Sequence, residues 1–349
     1  MIYLVGWAIT YSVLFIQTST RYKGPALIFG VILLYASLAF FRGTVGTDTG
    51  TYGNMFASYP PSTWNGQEPG FIALAIALKA LFQDTTLAVR AVALVFFFLT
   101  AVYIKRSDQN EKFFFLAYVL PLTGYQHSMN IIRDGLATII ILLAVQAWRK
   151  GFFKRASLTG ISAIFFHYSA LVSLSYLALS QRPWLRVMSV VYMVALVTFS
   201  TLAFLAVEFY FVQKALLYAP TEEAKGGSQI VASLFGLFRV SIVLGALLFC
   251  KLPTGEKLKL IILGEIFLLT AAFISQFSYA GIRLYMVISI VCPLSILASY
   301  SRLGLNFDGK LKAGLIASSL LGAAAAFRGF LNTEGRTVHA FLPYDTWLF

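Results

Sequence analysis

The chain has 349 residues, of which 59% are apolar and only 12% charged, with a mean hydropathy of +0.79. Soluble domains carry about 25% charged residues, so these few charges could not cover the surface of a water-soluble protein this long, and lipid is the solvent that suits the composition. The net charge of +13 does not point to nucleic acid, because the basic residues fall in short clusters between apolar runs, which is the positive-inside pattern of membrane proteins.

A spanning helix needs about 20 mostly apolar residues. In chain order the expected spans are 1–18, 26–41, 87–104, 113–130, 132–148, 187–207, 232–250, 260–279, 284–300 and 313–328. The first has no basic leader and no small-residue cleavage site, so it reads as a retained helix and not a signal peptide. Cys250 and Cys292 lie inside apolar runs and read as small buried hydrophobes.

Basic clusters at Arg21/Lys23, Lys105/Arg106/Lys112, Arg149/Lys150/Lys154/Arg155, Arg182/Arg186, Lys251/Lys257/Lys259 and Arg302/Lys310/Lys312 fix the orientation if all face the cytoplasm. Two segments then enter and leave on the same side. Segment 70–82 gives only about 20 Å of helix against a hydrocarbon core of about 30 Å. Segment 157–180 splits at Phe166-His167. Both are expected to be re-entrant helical hairpins, 69–86 and 157–180, walling a wet or protein-lined cavity; two ordinary short spans are the alternative. The expected fold is all-α: one polytopic integral membrane domain, 1–349, of about ten spanning helices plus the two hairpins. Three long polar segments, 42–69, 208–231 and the tail 329–349, fall on the face away from the cytoplasm, which places binding or chemistry there. No internal repeat is visible, which weakens a transporter reading.

The candidate residues follow the same order. Arg42 opens a loop running Gly-Thr-Val-Gly-Thr to Asp48 and Tyr52; its glycines allow close approach of a ligand, although an interfacial Arg and a turn-forming Asp explain it equally well. Glu68 precedes Pro69-Gly70 at the mouth of the first hairpin, near the positive end of a helix dipole. Arg133 and Asp134 start a helix, and a helix N-terminus beside a guanidinium is an anion site suited to diphosphate; a structural Arg–Asp pair is the plainer reading. His167 is an isolated ionisable residue in an apolar region, a functional candidate by default and a possible general base. Arg283, between two expected spans, would be a third guanidinium, and three such groups near lipid call for a polyanionic headgroup. Tyr344, near the chain end, suits an interfacial belt or stacking on a sugar ring. The sequence holds no Walker motif, nucleophile elbow, His-Glu-x-x-His pair or paired-aspartate motif, so ATP hydrolysis and zinc chemistry are not expected.

These pieces, in this order, resemble the EpsG family of Wzy-like polysaccharide polymerases. The resemblance rests on Arg42-Gly-Thr-Val-Gly-Thr-Asp48 with Tyr52, Glu68-Pro-Gly-Phe71, Ile132-Arg133-Asp134-Gly-Leu-Ala137, Phe166-His167-Tyr168-Ser169-Ala170 and Arg283-Leu-Tyr285, and spans about residues 1–300. Asp134 departs from the Gln that commonly follows the Arg in the family. The resemblance implies a lipid-linked, metal-independent membrane glycosyltransferase (GT-C-like) in a bacterial inner membrane, working at its periplasmic face without a cofactor. Its substrates would be oligosaccharides on undecaprenyl diphosphate, with membrane lipid around them and a chain-length regulator as a further partner. Arg133, Arg283 and Arg42 would hold the diphosphate. His167, Glu68 and Asp48 would be the candidates for handling the acceptor proton, and Tyr52 and Tyr344 would contact the glycan. A lipid-linked oligosaccharide flippase or other transporter, or an O-antigen-ligase-like transferase, are the rival readings.

Overall fold

The computed structural model describes residues 2–20, 24–46, 48–61, 66–181, 228–275, 280–331 and 341–347. Within them the chain forms α1 (Ile2–Ser19), α2 (Ala26–Phe40), α3 (Thr49–Ala57), α4 (Pro69–Phe82), α5 (Thr85–Lys105), α6 (Gln109–Phe114), a π-helical turn (Phe115–Val119), α7 (Leu120–Met129), α8 (Ile132–Arg149), α9 (Phe153–Ile164), α10 (Ala170–Gln181), α11 (Ser228–Leu248), α12 (Thr254–Ser275), α13 (Ala280–Arg302) and α14 (Gly309–Leu331). The described residues contain no strand; one isolated antiparallel bridge joins Arg42 and Thr346.

Each expected span except 187–207 falls on one or more of these helices; 187–207, Arg182, Arg186 and residues 208–227 lie outside the described residues. Among the described residues, five helices are long and apolar enough to cross a membrane: α1, α5, α12, α13 and α14. Others, among them α2, α4 and α10, are apolar but shorter. Large apolar side chains such as Phe15, Leu33, Phe98, Leu269 and Phe273 remain well exposed on helix surfaces, which is unfavourable in water and ordinary in lipid. The all-helical architecture is consistent with a membrane protein. The loop 42–69, expected to be simply polar, contains α3, whose Tyr52 and Phe56 are buried four residues apart on one face.

The described chain divides into two compact units. Unit 1 comprises residues 1–62, 68–168 and 319–349. In it α6, the π turn and α7 run on as one helix through Pro121. Proline has no N–H for the carbonyl four residues back, and here that carbonyl, of Ala117, accepts instead from the Ser319 hydroxyl at 2.5 Å. The π turn and this side-chain donor let the helix continue where proline would otherwise leave a buried acceptor unmatched. Asp84 caps α5 by accepting from Leu87 N at 2.6 Å, and Asp108 and Glu111 form a capping box on α6.

Unit 2 comprises residues 63–67 and 169–318. Its centre is α13, buried without a break from Ile288 to Tyr300. Tyr176 of α10 packs edge-on against Phe267 of α12 at 5.0 Å, and the Gln181 amide donates to the Ser295 carbonyl at 3.1 Å. Arg302 ties α13 to α12 through Glu256 at 2.5 Å.

At one end of unit 1, the Arg149 side chain, 4% exposed, binds both Asp108, at 2.6 Å, and the buried Glu111. Removing one member of a buried pair leaves the other charge uncompensated, at a cost of about 3–5 kcal/mol. Arg149→Leu is therefore expected to lower the thermal unfolding temperature measured in detergent, and adding Glu111→Gln to restore much of the loss.

Candidate active site

The site is assembled from helix ends within unit 1. Pro69 occupies the first turn of α4, where its missing N–H costs nothing. It also biases the preceding residue to extended backbone, and Glu68 adopts φ −64°, ψ 115°. Glu68 thus stands at the N-cap, yet its side chain makes no capping bond. The first amides of α4 are satisfied from elsewhere: Gly70 N and Phe71 N both donate to the Phe165 carbonyl, at 2.9 and 3.3 Å. Phe165 is the C-cap of α9, so the negative end of one helix meets the positive end of another. A Cβ on Gly70 would lie 2.9 Å from that carbonyl oxygen, so glycine is what permits the approach.

This contact carries the break after α9, with His167 in it, to Glu68. His167 Nδ1 lies 2.9 Å from Glu68 Oε1, and Arg133 Nη1 lies 2.7 Å from Oε2. One carboxylate, with 1% of its side chain exposed, therefore joins a histidine and an arginine that are 23% and 14% exposed. An ionised carboxylate only accepts, so His167 Nδ1 carries the proton of that bond and its lone pair sits on Nε2 in the neutral ring. The Arg133 guanidinium lies 5.8 Å from the ring centres of both Tyr52 and Phe71, within cation–π range. Tyr52 is thereby placed against the same group.

Asp134 does not pair with its neighbour Arg133 as the plainer reading of the sequence had it. Its Oδ2 lies 3.3 Å from Nε2 of His127, and its Oδ1 lies 4.0 Å from Nε2 of His167. Adjacent residues in the first turn of a helix point about 100° apart, so Arg133 and Asp134 reach different partners. His127 is the residue that sequence reasoning missed. The signal was the two-residue connection, 130–131, between α7 and α8, which brings the last turn of one helix back over the first turn of the next. A Cβ on Gly135 would lie 2.5 Å from the His127 carbonyl oxygen, so only glycine allows that closeness.

The remaining candidates are used differently. Arg42 is fully buried; its Nη1 donates to the carbonyls of Ser128, at 2.7 Å, and Ala39, at 3.4 Å, near the C-terminal ends of α7 and α2. A cation there offsets two helix dipoles. Burial, with Arg90 nearby, lowers its pKa to about 10. Asp48 precedes α3, and its backbone N–H donates to Asn130 Oδ1 at 3.0 Å. The Tyr344 hydroxyl donates to the Leu38 carbonyl at 2.7 Å. With Trp347 Nε1 on the Phe40 carbonyl and Gly43 N on the Asp345 carbonyl, it fastens segment 341–347 along the end of α2. Arg283 stands in the first turn of α13, in unit 2. Among the described residues no group of His, Cys, Asp and Glu could hold a metal ion.

The EpsG family model matches residues 26–346, nearly the whole chain and all of the elements just described except α1. The chain belongs to the EpsG family. EpsG is a family of Wzy-like polymerases. No curated protein and no solved structure matches the chain.

Gly135→Ala is expected to force α7 and α8 apart, at a cost of about 1–3 kcal/mol. A thermal unfolding midpoint well below wild type, together with reduced activity, is the expected result; an unchanged midpoint would show that the two helices are not held this closely.

Proposed function

We propose that this EpsG-family chain is a polysaccharide polymerase that moves a growing glycan from undecaprenyl diphosphate to the non-reducing end of a new lipid-linked repeat unit, at the periplasmic face of a bacterial inner membrane. The observation that carries this reading is the Arg133–Glu68–His167 group, in which one buried carboxylate holds a proton acceptor beside a cation.

An acceptor hydroxyl oxygen forms a bond to the donor sugar's C1. The bond from C1 to the diphosphate oxygen breaks, and its electron pair leaves with the undecaprenyl diphosphate. The hydroxyl proton goes to Nε2 of His167. Glu68 holds Nδ1–H, which keeps the ring in the tautomer and orientation the transfer needs. Before transfer, Glu68 and Arg133 cancel in charge. Once His167 is protonated, the charge of the group, with Asp134 4.0 Å from Nε2 counted in it, rises by one, so its negative charge falls as that of the departing diphosphate grows. That coupling favours the transition state over the ground state. Arg133 is the guanidinium we assign to the diphosphate, and Tyr52, against Arg133, the aromatic contact to the glycan. Direct attack on one face inverts the anomeric configuration.

Arg42, held on backbone carbonyls, is assigned to the scaffold beneath the loop that carries Asp48. The break after α9 is read as irregular backbone at membrane depth, which would bring His167 to a cavity reached by both water and prenyl chains.

The test uses purified protein in lipid with undecaprenyl-diphosphate repeat units from its host, and resolves the products as a ladder. Arg133→Ala and His167→Ala are each expected to abolish the ladder, by at least about a hundredfold for the loss of a general base, with thermal unfolding near wild type for His167→Ala. Full activity in both variants, or transport of the lipid-linked unit without lengthening, would overturn the assignment.

A further inference from the structure

The Arg133–Glu68–His167 group extends beyond His167. Nε2 of His167 faces Oδ1 of Asp134 across 4.0 Å, longer than a hydrogen bond. Of the two carboxylates flanking the imidazole, Glu68 is closed off at 1% exposure while Asp134 is 18% exposed. The accessible edge of the network is thus the pair His167 Nε2 and Asp134 Oδ1. With His167 neutral, both of these atoms accept hydrogen bonds, and they stand wider apart than two adjacent hydroxyl oxygens of a sugar ring, so each hydroxyl can reach outward to its own acceptor. A vicinal diol laid along this edge can donate one hydroxyl to each at about 2.8 Å.

Asp134 is held for such a role. Its other oxygen, Oδ2, lies 3.3 Å from Nε2 of the buried His127. His127 is itself fixed: its ring meets Phe96 edge-on at 6.4 Å, and Gly135 lets α8 close against its backbone. The 3.3 Å contact of the His127 ring with Oδ2 sets the carboxylate's orientation toward His167, as outer contacts orient reactive groups elsewhere.

We propose that Asp134, braced by His127, is the second acceptor-binding residue of the site, so that the acceptor sugar must carry a free hydroxyl adjacent to the one that attacks. The inference rests on the polymerase reading above. Asp134 takes the neighbouring hydroxyl while His167 takes the proton of the attacking one. The carboxylate also faces the imidazolium formed on proton uptake. His127 is a positioning residue, acting only through Asp134.

The test compares acceptor repeat units in which each hydroxyl flanking the linkage position is replaced in turn by hydrogen, with single additions to one fixed donor measured in reconstituted protein. With wild type, one deoxy acceptor is expected to lose about ten- to hundredfold in kcat/KM, the worth of a hydrogen bond to a charged group. With Asp134→Ala, the parent acceptor falls to a similar level and the same deoxy substitution has no further effect. Asp134→Asn retains the shape and keeps part of the discrimination. His127→Gln raises KM for the acceptor and leaves KM for the donor unchanged. Deoxy acceptors that react like the parent with wild type, or a deoxy penalty that persists in full in Asp134→Ala, would overturn the inference while leaving the polymerase reading intact. Failure of wild type to extend the parent acceptor would instead overturn that reading. If Asp134→Ala does not fold, Asp134→Asn supplies the same comparison, and a deoxy penalty unchanged from wild type in that variant would likewise overturn the inference.

Discussion

The site turns on one carboxylate. Glu68 is almost wholly removed from solvent, and an isolated buried charge is expensive enough that a carboxyl group would sooner take up a proton. Arg133 at 2.7 Å and His167 at 2.9 Å make its ionised form tenable. The dependence runs both ways. Glu68 fixes the Nδ1 proton of the imidazole by accepting it, and it holds the guanidinium that sits over Tyr52 and Phe71. Three side chains from distant parts of the sequence are therefore one chemical object.

What brings them together is the meeting of helix ends. The orphan amides at the start of α4 take the Phe165 carbonyl at the end of α9, and the short turn between α7 and α8 sets Arg133 and Asp134 against the same place from the other side. None of these residues lies mid-helix. Backbone that departs from helix can lie at membrane depth only where protein or water satisfies it; here protein does so, and the breaks supply the positions from which polar side chains converge. The scaffold residues around them, Arg42 on two helix C-termini and Ser319 on the carbonyl that Pro121 leaves open, perform the same service for backbone groups that hydrocarbon cannot.

The helices were legible because apolar runs of spanning length have few alternatives, and the break at Phe166-His167 was legible because an ionisable residue stood alone in one of them. Glu68 and Arg133 could be singled out by their places at expected helix starts, and His167 by its isolation. Their pairing could not. Sequence proximity suggested Arg133 with Asp134, whereas successive residues on a helix diverge and each found a partner across a turn or a helix end. Arg42 and Arg133 looked alike in sequence, as basic residues at the rim of apolar segments, yet one is enclosed on carbonyls and the other is partly open beside a carboxylate. His127 was not singled out because Gln126, Ser128 and Asn130 stand beside it and it lacks the isolation of His167; its meaning comes from Asp134, seven residues on and across a tight turn.

The most direct measurement of the central claim is a double-mutant cycle on Glu68 and His167, using Glu68→Gln, His167→Gln and the pair, with polymerisation rates taken in reconstituted protein. If the two residues act as one unit, either single change removes most of the activity and the double variant is about as active as the worse single, as for groups that work only together. Losses that multiply in the double variant would contradict the account, since they would mean that Glu68 and His167 serve the reaction independently.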